Sequence, residues 1–269
     1  MRALDGFTSF PFEARTITHW VYHAGNRSDP ALLVMPEIAG VAPGLIAFVQ
    51  RLVAARFQVY VPWLFGPLGK RAPLRNALRL CVSREFANLR AGVSAPITEW
   101  LRALAAHISE RAGHPRIGAI GMCLTGAFAI PLVIDPKVAA AVAAQPSVPI
   151  SFKHLAFGSH SARLSELNVA GEDITRARER LASGEARLFA LRCRADRLCP
   201  REKMARLQAE FPAGLEVREY GQAEDRNAVG ERPHATFTKE YRLAPGAADD
   251  HHSRRALADL IAFFERHLR

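Results

Sequence analysis

Short continuous apolar runs alternate with segments of helical periodicity along most of the chain. The apolar runs have the length expected of strands buried on both faces, at 31–35, 59–61, 117–120, 138–144 and 188–191. Apolar residues at intervals of three and four predict helices over 43–56, 97–111, 201–211 and 253–268. Strands that alternate with helices, without internal repeats, predict an α/β fold. We expect a doubly wound, mostly parallel sheet with helices on both faces.

The remaining segments complete this pattern. Alternation over 15–22 predicts an edge strand at the beginning of the chain, and 215–220 predicts a late strand. A charged helix is predicted over 174–182, preceded by the acidic pair Glu172 and Asp173. Residues 65–80 and 146–171 have no clear period and are interpreted as mostly loop. Because no linker divides the chain, we expect one domain over 1–269, with a lid-like excursion at 146–186.

The composition is that of an ordinary globular protein, with 49% hydrophobic and 23% charged residues. The net charge of +10 comes mostly from arginines that are scattered among acidic residues instead of forming a stripe. We therefore expect no nucleic-acid partner, and a field that favours anionic small substrates. No run approaches the roughly 18 apolar residues of a membrane span, and the first residues lack a signal peptide's apolar core. Both observations favour a cytoplasmic protein without a membrane partner.

The four cysteines, Cys81, Cys123, Cys193 and Cys199, show neither CxxC spacing nor a nearby pair of histidines. A zinc site and a disulfide framework are therefore both unexpected, and we predict no metal. Free thiols suit a reducing compartment, which would keep a reactive cysteine available. Redox sensing by Cys193 and Cys199 is a weaker hypothesis, since their spacing matches no dithiol motif.

The segment Gly121-Met122-Cys123-Leu124-Thr125-Gly126 carries the main chemical signal. It lies between the buried run 117–120 and the small apolar segment 127–130, which predicts a strand, a sharp turn and a helix start with a thiol at the apex. That arrangement is a nucleophile elbow, in which small neighbours let the strand and the helix approach each other. The alternative is that Cys123 is simply a small buried hydrophobe.

An acid and a base follow this cysteine in the order that α/β-hydrolases use. Asp196 follows a predicted strand, where active sites of parallel sheets lie, although it could instead cap the helix that begins near residue 200. His234 follows the last predicted strand; the other histidines precede the nucleophile or the acid, or lie in or against the last helix. Glu37 comes directly after the first buried strand, where the alternative is an ordinary exposed loop acid.

Four segments together resemble the dienelactone hydrolase family of the α/β-hydrolase superfamily. They are similar to its Glu-Ile-aromatic-Gly motif, its cysteine elbow, its Asp-His-aromatic-Val-Pro acid loop and its Gly-His-x-Phe base loop. In this chain they are 36–41 (PEIAGV), 121–126 (GMCLTG), 196–200 (DRLCP) and 233–237 (PHATF).

The resemblance implies a carboxylic ester or lactone hydrolase, like carboxymethylenebutenolidase, without a cofactor. It implies a triad of Cys123, His234 and Asp196 and a thioacyl-enzyme. Glu37 would contact the resting cysteine and move when substrate binds. The backbone N–H groups of Ile38 and Leu124 would form the oxyanion hole.

The chain departs from the family pattern at two positions. Thr125 replaces the usual glycine of the elbow, and Thr238, followed by Lys239, replaces a substrate-binding arginine. Arg84 is the candidate for a second anchor of a substrate carboxylate. We therefore expect a small ester or lactone, anionic or apolar, rather than dienelactone itself. A non-catalytic binding or regulatory protein on the same fold is the alternative, and the oligomeric state stays open.

Overall fold

The computed structural model describes residues 4–71, 95–147, 165–241 and 251–269. Within these residues it contains one eight-stranded sheet in the order β1-β2-β4-β3-β5-β6-β7-β8. The strands are β1 (Thr8–Ala14), β2 (Ile17–Ala24), β3 (Ala31–Met35), β4 (Gln58–Pro62), β5 (Ile117–Met122), β6 (Val138–Ala144), β7 (Arg187–Cys193) and β8 (Leu215–Tyr220).

Strands β3 to β8 run parallel, whereas β1 and β2 form an antiparallel hairpin, and β2 also pairs antiparallel with β4. The predicted doubly wound, mostly parallel sheet is therefore confirmed. Every residue of β3, β5 and β6 is buried, which is why these strands are continuous apolar runs rather than alternating ones.

The helices cover both faces of the sheet. They are α1 (Pro43–Ala54), α2 (Pro96–Ala112), the single turn α3 (Ala129–Leu132), α4 (Gly171–Ala182), α5 (Arg201–Glu210) and α6 (His252–Leu268). Phe48 of α1 and Phe264 of α6 belong to one core cluster, while Trp100 of α2 and Leu207 of α5 belong to the other. Within the described part of the chain, no helix is long and apolar enough to cross a membrane.

The start of the chain corrects one prediction. A single edge strand over 15–22 was expected, but residues 15 and 16 form the turn of the β1–β2 hairpin, with φ of 50° and 63°. The edge strand is β1, which contains Pro11, and β2 lies inside the sheet. A proline is tolerated at an edge because its missing N–H faces no partner strand.

Part of the segment 146–186 belongs to the body of the fold. Helix α4 connects β6 to β7, and its Ala177 and Leu181 lie in the core. Residues 148–164 lie outside the described residues, so the lid-like excursion remains a proposal for them alone.

Candidate active site

Cys123 lies at the point where β5 ends and a 3₁₀ helix (Cys123–Phe128) begins. Its φ is 55°, in the left-handed region that non-glycine residues rarely adopt. Cys123 is partly exposed, whereas Cys193 and Cys199 are buried. A strained, accessible thiol at the carboxyl end of a central strand is the geometry of a nucleophile elbow.

Close approach of the backbone explains the glycines on either side of Cys123. A Cβ atom on Gly121 would lie 2.1 Å from the carbonyl oxygen of Thr125, and one on Gly126 would lie 2.8 Å from the Cα of Pro146. Both distances are too short for any side chain. The two glycines therefore permit the turn and its packing against the loop that follows β6.

The side chain of Thr125 stabilises this turn by hydrogen bonds. Its fully buried hydroxyl accepts a hydrogen bond from the N–H of Met122 at 2.9 Å. The same oxygen lies 3.2 Å from the carbonyl oxygen of Met35, to which it can donate. Because Met35 ends β3, the threonine joins the elbow to the neighbouring strand, which the glycine usual at this position could not do.

Asp196 and His234 are brought together at the same edge of the sheet. The Nδ1 of His234 lies 2.7 Å from Oδ2 of Asp196. The other oxygen, Oδ1, accepts hydrogen bonds from the N–H groups of Leu198 at 2.8 Å and Cys199 at 3.2 Å. The carboxylate is therefore fixed, and an Nδ1–H donated to it leaves Nε2 of the imidazole as the atom that can accept a proton.

A buried arginine holds the acid loop in place. Arg192 in β7 donates to the carbonyl oxygens of Cys199 at 2.6 Å, Arg194 at 3.0 Å and Asp196 at 3.1 Å. It is also ion-paired with Glu219. The sequence does not reveal this residue, because nothing in an arginine-rich chain distinguishes a buried arginine from an exposed one.

Ser147 completes the contact between the cysteine and the histidine. Its Oγ lies 3.2 Å from Sγ of Cys123 and 3.4 Å from Nε2 of His234. This serine belongs to the segment 146–171, which the sequence pattern predicts to be mostly loop. Its position directly after the predicted strand 138–144, at the same sheet edge, is the signal that could have identified it.

The pKa of His234 is well above its ordinary value of 6.5. Burial is the largest influence and opposes the charged ring. It is outweighed by the charge interaction with Cys123, by the side-chain hydrogen bonds to Asp196 and to Cys123 itself, and by the charge of Asp196. The surroundings of His234 therefore favour the charged imidazolium form of its ring.

Glu37 lies near His234 but is hydrogen-bonded to a different partner from the expected one. The Oγ1 of Thr238 is 3.0 Å and 2.9 Å from its two carboxylate oxygens. The expected contact of Glu37 with the resting cysteine is not found among its hydrogen bonds. Burial raises the pKa of Glu37, against the opposing effects of His234 and the Thr238 hydroxyl.

Glu240 is a second buried acid beside the base, and the sequence analysis did not identify it. It accepts a hydrogen bond from Nδ2 of Asn227 at 3.3 Å and one from the backbone of His234. Burial raises its pKa. This carboxylate thus holds the loop that carries His234.

A known protein family matches the part of the chain that contains the elbow. The sequence model of the dienelactone hydrolase family matches residues 19–165, more than half of the chain and including the whole elbow. The chain belongs to the dienelactone hydrolase family. Asp196 and His234 lie beyond the matched residues, so their assignment depends on the geometry described above.

Solved structures with the same fold include several relatives of the dienelactone hydrolase family. A candidate dienelactone hydrolase from Klebsiella pneumoniae subsp. pneumoniae MGH 78578 has a TM-score of 0.65 at 15% identity, over 97% of this chain and 98% of that one. A Pyrococcus furiosus esterase has a TM-score of 0.61 at 13% identity, over 98% and 93% of the two chains. A dienelactone hydrolase-like promiscuous phosphotriesterase from metagenomic libraries has a TM-score of 0.61 at 14% identity, over 95% and 97%. At such identities the likeness shows the α/β-hydrolase fold alone, and no curated protein matches the sequence significantly.

The other site residues that the sequence predicts for this member of the dienelactone hydrolase family are Leu124, Ile38 and Arg84. Leu124 is the second residue of the 3₁₀ helix, so its N–H lies where a helix start leaves donors without partners inside the helix. Ile38 follows Glu37 beyond β3. Arg84 lies outside the described residues. A cavity of about 30 Å³ borders Glu37 and Thr238, with Arg71 and Lys239 in its lining.

Proposed function

We propose that the protein is a cysteine-dependent hydrolase of small carboxylic esters or lactones. Membership of the dienelactone hydrolase family supports ester hydrolysis in general. The single observation that carries the finer proposal is the 2.7 Å pair of His234 and Asp196 beside a thiol in the left-handed elbow conformation. A nucleophile, a base and an orienting acid in contact are what covalent catalysis requires.

In the proposed first step, His234 holds the proton of Cys123 and the thiolate attacks the acyl carbonyl. The N–H groups of Leu124 and Ile38 bind the oxyanion that forms, and such donors are worth about 3 to 4 kcal/mol each in the transition state. The imidazolium then gives its proton to the leaving alkoxide, and the carbon–oxygen bond of the ester breaks. The products of this step are an alcohol and a thioacyl-enzyme on Cys123. With a lactone, the alcohol remains attached to the acyl group.

In the proposed second step, His234 takes a proton from water, and the hydroxide attacks the thioester. The carbon–sulfur bond breaks, the acid leaves and Cys123 is restored. Asp196 accepts the hydrogen bond from the Nδ1–H of His234 throughout, which holds the ring in the orientation that both steps need.

The positive charge of the chain, +10, supports a small anionic or neutral substrate. Arg71 lines the cavity next to Glu37, together with Lys239, which is ion-paired with Glu231. Thr238 in place of the family's arginine argues against dienelactone as the preferred member of this class. We propose a carboxymethylenebutenolidase-like reaction on a different ester or lactone.

Hydrolysis by the wild type and Cys123→Ala tests this function, on a panel of a short p-nitrophenyl ester, a neutral lactone and a dienelactone. We expect the variant to lose about 10³-fold or more in kcat/KM on every substrate that the wild type cleaves. Cys193→Ala is the matched control and should keep most of the activity, because burial raises the pKa of Cys193 to about 12. Full activity in Cys123→Ala would overturn the proposal. A wild type that cleaves nothing, with Cys123 alkylated no faster than Cys193, would favour a binding protein.

A further inference from the structure

The loop that follows β6 is tied to the elbow by its backbone and by a side chain. The N–H of Ser147 donates to the carbonyl oxygen of Cys123 at 3.0 Å, and its hydroxyl touches Cys123 and His234. Ser147 is only 8% exposed. Its hydroxyl is therefore held in a fixed place between two reacting groups rather than free in solvent.

The loop that follows β6 has a strained backbone conformation, and this conformation places Ser147 beside Cys123. Gln145 has a φ of 37°, in the left-handed region, and its N–H donates to the carbonyl oxygen of Leu191 at 2.7 Å. Pro146 lies against Gly126, where a Cβ would clash at 2.8 Å. Strained residues persist where the surrounding structure determines them, and here the strain turns the chain toward the elbow.

The tautomer of His234 determines what a hydroxyl at this place does. With Nδ1–H donated to Asp196, the neutral ring accepts at Nε2, so the Ser147 hydroxyl donates to Nε2 and accepts from the Cys123 thiol. In the charged pair both bonds reverse: Nε2–H donates to Oγ, and the hydroxyl donates to the thiolate. Each state has a complete set of donors and acceptors.

We propose that Ser147 is a fourth catalytic residue, whose hydroxyl bridges Sγ of Cys123 and Nε2 of His234 and carries the proton between them. This inference rests on the function proposed above. In the transfer, the S–H bond breaks and its proton goes to Oγ, while the proton of the hydroxyl goes to Nε2. The result is a thiolate, a neutral hydroxyl and an imidazolium, so no other reactant is needed.

The rate at which iodoacetamide alkylates Cys123 as a function of pH tests this proposal without using a substrate. We expect Ser147→Ala to be alkylated about tenfold more slowly near neutral pH, with the midpoint of its profile at higher pH. Its kcat/KM on a p-nitrophenyl ester should fall by about tenfold to 100-fold. The other charged groups near the pair are the same in both proteins, namely Asp196, Glu37, Glu240 and Lys203.

Two further comparisons separate a proton bridge from a structural role. The isosteric variants Ser147→Thr and Ser147→Val differ in the hydroxyl alone, and the threonine should restore the wild-type profile while the valine should not. Ser109→Ala removes a buried serine in α2 that donates to His114, and it should leave the profile unmoved. An unchanged alkylation profile in Ser147→Ala and Ser147→Val would overturn the bridge, whatever their turnover.

The proposed function can fail independently of this inference. If Cys123→Ala keeps full activity while Ser147→Ala shifts the alkylation profile, the hydrogen-bonded bridge exists, but the nucleophile assignment and the catalytic role of Ser147 are both wrong. If Cys123→Ala is inactive and the profile of Ser147→Ala is unmoved, the nucleophile stands and the bridge is wrong.

Discussion

The hydroxyl of Thr238 lies within 3.0 Å of both carboxylate oxygens of Glu37. The resemblance to the family places Thr238 where a substrate-binding arginine is expected, and it implies that Glu37 contacts the cysteine. In this chain the two residues are each other's partner instead. Glu37 therefore lies near His234, and the hydroxyl of Ser147 contacts the thiol of Cys123.

Removal of this hydroxyl should destabilise the protein mainly at higher pH. The pKa of Glu37 is higher in the folded protein than its value of 4.5 in the unfolded chain. Its contribution to the free energy of unfolding is therefore complete below pH 4.5 and is lost as the pH rises through the folded-state pKa. The Thr238 hydroxyl stabilises the charged carboxylate and so reduces this loss of stability. Thr238→Val should therefore make the loss larger. We expect a decrease of about 1 to 3 kcal/mol in the free energy of unfolding near pH 8, and a smaller decrease near pH 5.

Urea denaturation of Thr238→Val and Thr238→Ser at the two pH values checks this expectation, since the serine keeps the hydroxyl. Glu37→Gln should be more stable than the wild type at the higher pH, where it removes a buried charge. Equal losses of stability for Thr238→Val at both pH values would mean that packing, and not the carboxylate, is responsible.

A methyl group at Gly121 should disrupt the elbow. Its Cβ would lie 2.1 Å from the carbonyl oxygen of Thr125, and backbone atoms cannot rotate away as side chains do. We expect Gly121→Ala to lose about 1 to 3 kcal/mol of stability or more, together with most of the hydrolase activity. Thermal unfolding and ester hydrolysis measure the two effects.

Gly171 provides the control for this variant. A Cβ there meets nothing within 4 Å, and the residue begins helix α4. Gly171→Ala should be neutral or slightly stabilising. If Gly121→Ala were as active and as stable as Gly171→Ala, the close approach would not describe the elbow in solution.

Thr125 should be needed for its hydroxyl and not for its bulk. Thr125→Val leaves the buried N–H of Met122 without its acceptor, which costs about 1 to 3 kcal/mol. Thr125→Ser keeps the hydrogen bond and should remain within about 1 kcal/mol of the wild type. Chemical denaturation compares the pair, and equal losses in both variants would contradict this role.

Asp196→Asn should reduce both activity and the pH dependence of stability. The pKa of His234 is raised above 6.5 in the folded protein, so the stability that this gives is complete below pH 6.5 and is lost as the pH rises through the folded value. An amide at residue 196 removes the carboxylate that raises the pKa of His234, and with it part of this pH-dependent stability. It also no longer selects the tautomer that carries its proton on Nδ1. We expect kcat to fall by about 10²-fold to 10⁴-fold and the stability curve to flatten over this range.

Asp135→Asn is the matched control for this variant. Asp135 also accepts a backbone N–H, that of Lys137 at 2.8 Å, but it precedes β6 and so lies at the opposite edge of the sheet. It should keep the activity and the pH dependence of the wild type. An Asp196→Asn variant that behaves like Asp135→Asn would remove Asp196 from the site.

The sequence predicted those features that depend on local pattern or on chain order. The buried strands were visible as apolar runs, and the elbow was visible because Gly121, Cys123 and Gly126 have a spacing that backbone contact requires. Asp196 and His234 were found because parallel strands bring their carboxyl ends to one edge. The structure brings these two residues and Cys123 together.

The features that the sequence did not reveal depend on tertiary contacts. Ser147 is one serine in a segment without periodicity, and its significance comes from the direction of the chain after β6. Arg192 and Glu240 are ordinary charged residues until their burial is known. The hydrogen bond between Glu37 and the Thr238 hydroxyl joins residues 201 positions apart, so the sequence pattern does not reveal it. The contact of Glu37 with the resting cysteine stays an expectation from the family resemblance.

The most direct test of the central claim is to locate the acyl group during turnover. After acid quenching of a reaction with a p-nitrophenyl ester, trypsin separates the two candidate residues, since Cys123 lies in the peptide 117–137 and Ser147 in 138–153. We expect the acyl mass on the peptide that contains Cys123, and its absence in Cys123→Ala. An acyl group on the peptide 138–153, or steady turnover in Cys123→Ala, would contradict the assignment of Cys123 as the nucleophile.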